Sequence, residues 1–460
     1  MSDGKNLSVE EKRELLKKLM KEKAAKAAAS PAPSAPSSGS SDDKSVYTQF
    51  DKFPEVQTLA AQFQTLQMLH VDNPYFRVNE GIVNDKTRIG GRELISFSSY
   101  NYIGLSGDPR VSQGAKDAID KYGTSVSASR IATGERPIHR ELEQEIASLL
   151  GVEDAIVLVS GHATNVTVIG HLMRPGKDLI LYDSLSHNSI IEGCVLSGAR
   201  RIAFPHENWE ELDRILTEVR GDYERVLITI EGVYSMDGDI ADLPKFIEIK
   251  KKHHALLMVD EAHSMGVIGP HGLGIRDYYG VDGNEVDLWM ATFSKSFASC
   301  GGYIAGKKVL IDYLKYNTPG FVYSVGISPA NAGAALAAAK IMKAEPWRAL
   351  KCQDNAKLFL KLAKEKGLNT GPSKDSAVIP VITGNSAHAL ILADALFKDG
   401  INVQPILYPA VPDNEARLRF FITSDHTDEE ITYAVNKVSE HLNRIRKEMA
   451  DVSFPKSMIG

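Results

Sequence analysis

The sequence predicts an α/β fold, with a large domain built on a mainly parallel central sheet and a smaller α+β domain after it. Three observations predict it. From roughly Ile95 onward, short apolar runs alternate with helical patterns, as strands joined by crossover helices do. The runs Ala155–Val159, Leu179–Tyr182, Val226–Glu231, Leu256–Asp260 and Leu288–Thr292 are almost continuously apolar, which suits parallel strands buried on both faces. Past Pro346 come a long helical segment, apolar runs near Ala377–Ile382 and Arg417–Thr423, and a final amphipathic helix. A chain of 460 residues is long enough for two such units, each with its own core, and carries no internal repeat.

Residues 1–44 read as a charged helix and a linker. Ser8 and Glu11 have the spacing of a capping box, and Leu15, Leu16, Leu19 and Met20 make a narrow apolar stripe behind it. From Ala24 to Ser41 the chain holds only Ala, Ser, Pro, Gly and one Lys, too little apolar surface to fold. The charge pattern of the helix suits a solvated tail and a docking segment equally. A globular N-terminal segment, 45–95, precedes the large domain, 96–345, and the small domain, 346–460.

Composition narrows the function. Hydrophobic residues at 43% and charged residues at 24% suit a soluble enzyme, and a net charge of -6 disfavours a nucleic-acid binder, which needs clustered positive charge. Cys194, Cys300 and Cys352 are odd in number and widely spaced, so a reducing cytoplasm is expected. No apolar run has the length of a membrane span, and the N-terminus lacks the apolar core of a signal peptide.

Ligands of such sheets gather at the carboxyl ends of the strands, and several ends here carry reactive groups. Ala155–Val159 runs into Ser160-Gly161-His162 and a helical pattern, where free N–H groups and the helix dipole suit a phosphate. Leu256–Asp260 ends in a carboxylate that needs a cationic partner, and a protonated pyridine nitrogen is one. His263 follows on the same turn, placed either as a packed histidine or as a donor to the cofactor's phenolic oxygen. Leu288–Thr292 leads into Phe293-Ser294-Lys295, where an amine can form a Schiff base and then move protons. Thr292 and Ser294 would serve the phosphate. Lys295 following Asp260 on a neighbouring strand points to pyridoxal 5′-phosphate (PLP).

Two other readings compete. Asp260-Glu261-Ala262-His263 spells the metal box of a helicase-type ATPase, which requires a P-loop. The nearest match, Gly301–Lys308, ends in Lys308 where Ser or Thr should hold magnesium, and it lies after the box. His253-His254 beside His263 lacks metal-ligand spacing, so no zinc or other metal is expected.

The chain resembles the α-oxoamine synthase family from about Ser45 to its C-terminus, in SYNYIGL at Ser99–Leu105, EGVYSMDGDIADL at Glu231–Leu243, VDEAHSMGVIG at Val259–Gly269 and TFSKS at Thr292–Ser296. The resemblance implies the type I fold of PLP-dependent aminotransferases and decarboxylative condensation of an amino acid with an acyl thioester. It implies Lys295 as the Schiff-base lysine, Asp260 as partner of the pyridine nitrogen and His187 stacked on the ring. Ser235 and His263 are implied at the phenolic oxygen or substrate, Gly161, His162, Thr292 and Ser294 at the phosphate, and Arg419 at the substrate carboxylate. His162 stands where the family usually has Tyr or Phe, so its backbone role carries over. A homodimer is implied, with Ser324 reaching the partner's phosphate, although Ser328 replaces the first of two usual prolines. Tyr100 stands where glycine-using members have Asn, which favours serine or alanine. The N-terminal helix and linker resemble connectors in polyketide and nonribosomal peptide assembly lines, so an acyl carrier protein is an expected partner beside coenzyme A. A related aminotransferase or lyase, and a structural subunit lacking the lysine, are the alternatives; Lys295 argues against the second.

Overall fold

The computed structural model describes residues 47–68, 71–408 and 410–449, with Ser8, Glu10, Glu11, 13–15, 17 and 18 near the N-terminus. The expected linker and much of the apolar stripe before it lie outside the described residues. Ser8 and Glu11 do form their capping box: Glu11 N donates to Ser8 Oγ at 3.2 Å and Ser8 N to Glu11 Oε2 at 2.7 Å.

Two hairpin strands, β1 (Lys86–Ile89) and β2 (Arg92–Ser96), lead into the main sheet. Its strands are β3 (Asp154–Leu158), β4 (Asp178–Asp183), β5 (Arg200–Phe204), β6 (Arg225–Glu231), β7 (Leu256–Asp260), β8 (Leu288–Thr292) and β9 (Gly302–Gly306). They lie in the order β3-β9-β8-β7-β6-β4-β5, parallel from β8 to β5, with β9 antiparallel to both β8 and β3. Helices cover both faces, so the apolar runs are buried and two core clusters form, one on each side.

Two strands depart from the expected set. β5 was not marked because Arg200 and Arg201 break its apolar run; it is an edge strand and leaves them exposed. β9 occupies the stretch weighed as a P-loop. It is a fully buried strand, and Lys308 opens the next helix, pairing with Asp312 at 2.6 Å. No phosphate loop exists there. The acidic box is likewise self-contained, since Glu261 accepts from Ile275 N at 3.0 Å and is fully buried. His253 pairs with Asp213 at 2.7 Å, and His254 ends its helix at φ +48°.

After the helices Pro329–Ala344 and Trp347–Glu365, the chain forms β10 (Val378–Ile382), β11 (Ile401–Asn402), β12 (Gln404–Ile406) and β13 (Arg417–Phe421). β10, β13 and β12 make one antiparallel sheet, while β11 pairs in parallel with β2. The loop after β6 docks on β10. Ser376 Oγ donates to Gly238 O at 2.6 Å, and at Gly238, φ +71°, an added Cβ would lie 1.8 Å from Val378 O. The final helix, Asp428–Glu448, starts with a full capping box at Thr427 and Glu430. Among the described residues no helix is long and apolar enough to cross a membrane, and all three cysteines are free.

Candidate active site

The carboxyl ends of β6, β7 and β8 and the start of the helix Gly161–Leu172 enclose a cavity of about 300 Å³. It is lined by Tyr100, Gly161, His162, His187, Ser235, Asp260, His263, Thr292, Ser294, Lys295 and Arg419, all singled out in the sequence. Register explains the meeting. Glu231 and Asp260 are Cα partners on β6 and β7, and Asp260 faces Met290 on β8, two residues before the chain turns toward Lys295.

Asp260 is buried and accepts two hydrogens, from Ala262 N at 2.9 Å and from Asn165 Nδ2 at 2.8 Å. Lys295 is half-buried, with Nζ 5.6 Å from the centre of the Tyr100 ring. Desolvation brings its amine down to about 8, overriding the opposing pull of Asp260 and Glu231. His263 accepts from or donates to Tyr102 Oη at 2.8 Å through Nδ1. Burial, reinforced by Lys295 and Arg419, holds His263 well below the ordinary histidine value, so the ring is neutral. Arg419 donates from Nη1 to Ser235 O at 2.8 Å, while its buried Nε finds no partner among the described residues. Arg419 lines the cavity, and a guanidinium there suits a carboxylate.

At the other end the chain approaches itself closely. A Cβ on Gly161 would sit 2.7 Å from Thr292 Oγ1, and one on Gly302 would sit 2.8 Å from Gly161 Cα. Only glycine leaves room there for backbone N–H groups to face an anion. Thr292 Oγ1 and Ser294 Oγ lie 2.9 Å apart beside that helix start. An amine, a carboxylate and an anion cradle at the separate ends of one cavity match the aldehyde, ring nitrogen and phosphate of PLP, so the residues present fit that cofactor.

Two expected residues stand elsewhere. Ser160 does not line the cavity, because its Oγ accepts from Ala163 N at 3.0 Å and caps the helix. Ser324 is also outside it, half-buried and donating to Val325 O at 3.2 Å. The sequence reading missed Asn165, Ser189 and Glu231. Glu231 was legible by the rule that found Asp260, a carboxylate ending a buried strand. Burial, then the charge of Asp260, raises its carboxyl well above the usual range. Asn165 and Ser189 carry no such signal, since each lies on a helix and matters only through its neighbours.

A family model described as aminotransferase class I and II matches residues 92–438. The fold and site thus define a PLP-dependent enzyme of fold type I. An 8-amino-7-oxononanoate synthase of Thermosipho melanesiensis is 41% identical over 76% of this chain and 88% of its own. A serine palmitoyltransferase of Sphingobacterium spiritivorum is 36% identical over 79% and 90%. A solved serine palmitoyltransferase with PLP superposes with a TM-score of 0.81 at 29% identity, covering 85% of this chain and 98% of that one. The chain belongs to the class I and II aminotransferase family and, within it, to the α-oxoamine synthases, PLP-dependent C-acyltransferases whose relatives here perform decarboxylative condensations.

Proposed function

We propose that this enzyme condenses a small L-amino acid, alanine, serine or glycine, with an acyl thioester, releasing carbon dioxide and the thiol to give an α-amino ketone. The observation that carries the reading is the meeting of Lys295 and Arg419 in one cavity, an amine held near 8 and a guanidinium lining the same space.

PLP, when bound, supplies an electron sink for the negative charge that develops at the amino acid's α-carbon. The remaining work falls to the chain. Lys295 would hold the cofactor through Nζ, and the same atom would take the proton from the substrate's α-carbon. Asp260 provides the anionic partner for the ring nitrogen. His187 covers the ring, and His263 and Ser235 serve the phenolic oxygen or the substrate. Gly161 and His162 N–H groups, with the Thr292 and Ser294 hydroxyls, hold the phosphate. Arg419 fixes the substrate carboxylate, and Tyr100, standing over Nζ, limits the side chain accepted.

The enzyme acts as a cytoplasmic homodimer in this reading, with Ser324 serving the partner's phosphate. Either side of Ser324, Tyr323 and Val325 are 86% and 49% exposed, apolar surface that a second copy would cover. The N-terminal helix and the linker tilt the acyl donor toward a carrier protein, as in polyketide assembly.

The test is the visible absorption of PLP-loaded protein titrated separately with glycine, alanine and serine. A yellow band that shifts saturably with one of them names the first substrate. Lys295→Ala should lose all turnover; near-normal activity in that variant would sink the reading.

A further inference from the structure

The hydrogen bonds around Asp260 have a direction that can be read. A carboxylate only accepts, so Asn165 must present Nδ2 to Asp260 Oδ2, at 2.8 Å. Its second Nδ2 hydrogen goes to Ser189 Oγ at 2.9 Å. That leaves the Ser189 hydroxyl proton free to donate to His187 Nδ1, 2.8 Å away. The Ser189 backbone N–H also donates to Nδ1, at 3.2 Å. Two donors converging on one ring nitrogen make Nδ1 the bare one, so the neutral ring carries its proton on Nε2. Burial holds this imidazole below its ordinary value, which favours the same neutral form. From His187 the path returns to the sheet, because its backbone N–H donates to Glu231 Oε1 at 2.5 Å, and Glu231 is the Cα partner of Asp260.

Asn165 is 1% exposed and its Oδ1 is buried with no partner among the described residues. Leaving a buried acceptor unmade is costly, and a plain packing role does not explain why both donors are used on site residues. We propose that Asn165 is a positioning residue of the active site, orienting the Asp260 carboxylate with one amide hydrogen and tying it, through Ser189, to His187 with the other. The role deepens the proposed function and rests on reading the cavity as a PLP site. Asn165 acts on the cofactor through Asp260 and His187: it keeps the carboxylate aimed into the cavity and the ring above it in a single tautomer.

Two measurements on the full chain decide it. In protein labelled with nitrogen-15 histidine and free of PLP, the His187 signal is assigned with His187→Gln. Wild type should show an unprotonated, hydrogen-bonded Nδ1, and Ser189→Ala should move that resonance toward an unbonded acceptor. Asn165→Ala and the isosteric Asn165→Asp should move it in the same direction by less, because Ser189 loses the donor that polarises its hydroxyl. PLP affinity, read from the visible band, should then fall about tenfold in both Asn165 variants, the size expected for losing a hydrogen bond to a charged group. In Ser189→Ala it should fall by less than about threefold, since the Asp260 bond remains. Melting curves confirm that each variant is folded. An unmoved His187 signal in the Asn165 variants, or PLP affinity within about twofold of wild type in both, overturns the proposal. If Asn165→Ala and Asn165→Asp do not fold, Asn165→Ser is measured in their place by the same criteria, and an unmoved signal in Ser189→Ala also overturns the proposal. A wild-type protein that gives no visible band with PLP refutes the proposed function instead, and the histidine signal still decides the hydrogen-bond path.

Discussion

Lys295 shows how a single residue's chemistry is set by where the sheet places it. Burial lowers its amine from the usual lysine value to about 8, against the pull of Asp260 and Glu231. Only the neutral amine attacks an aldehyde, and a depressed value enlarges the neutral fraction at neutral pH. The rate at which PLP-free protein captures PLP should therefore rise about tenfold from pH 7 to 9 and then level off. An unperturbed lysine would give a rise of about a hundredfold over that interval with no plateau. Stopped-flow absorbance across this range distinguishes the two. Lys295 and Asp260 were legible in the sequence because a charge at the end of an apolar run has few bland explanations. Ser160 shows how a serine before a helix reads as a ligand and a cap alike, and here its Oγ caps the helix. Asn165 and Ser189 were invisible because their meaning comes from a contact between two helices that are 24 residues apart in sequence at that pair.

At the scale of elements, the loop after β6 is the joint between the main sheet and the C-terminal strands. Arg417 donates to Met236 O at 3.2 Å and Arg419 to Ser235 O at 2.8 Å, so β13 grips three successive residues of that loop, including Asp237, the ion-pair partner of Arg417. Gly238 completes the joint in a left-handed conformation against Val378 O. Gly238→Ala should combine backbone strain with a clash and destabilise the protein by roughly 3 kcal/mol. Urea unfolding of the two proteins measures this, and a loss below about 1 kcal/mol would show that the joint yields. The parallel strands were readable because burial on both faces leaves an unbroken apolar run. β9 was not, because its glycines resemble a phosphate loop on paper, and β5 was hidden by the two arginines that an edge strand can leave in water.

For the whole molecule, the proposed acyl donor sets the role of the N-terminal segment. If residues 1–44 dock a carrier, deleting them should weaken turnover of a carrier-bound acyl chain while leaving the matched coenzyme A ester unchanged; equal effects on both would remove the docking role. Fold class was readable at this scale from apolar runs alternating with helical patterns, whereas the order of the strands and assembly between chains leave little trace in one sequence. One feature of the sheet reaches further. Because β9 runs backwards, its first residue meets the start of the helix Gly161–Leu172, where a Cβ on Gly302 would lie 2.8 Å from Gly161 Cα. A side chain at either glycine would close that approach, so this end of the cavity tolerates little substitution there. Tyr100 and Arg419 come from outside the main sheet and present side chains to the same cavity. Substitutions there can alter substrate choice without disturbing the cradle, which makes one end of the cavity an inherited anchor and the other the ground on which new specificities evolve.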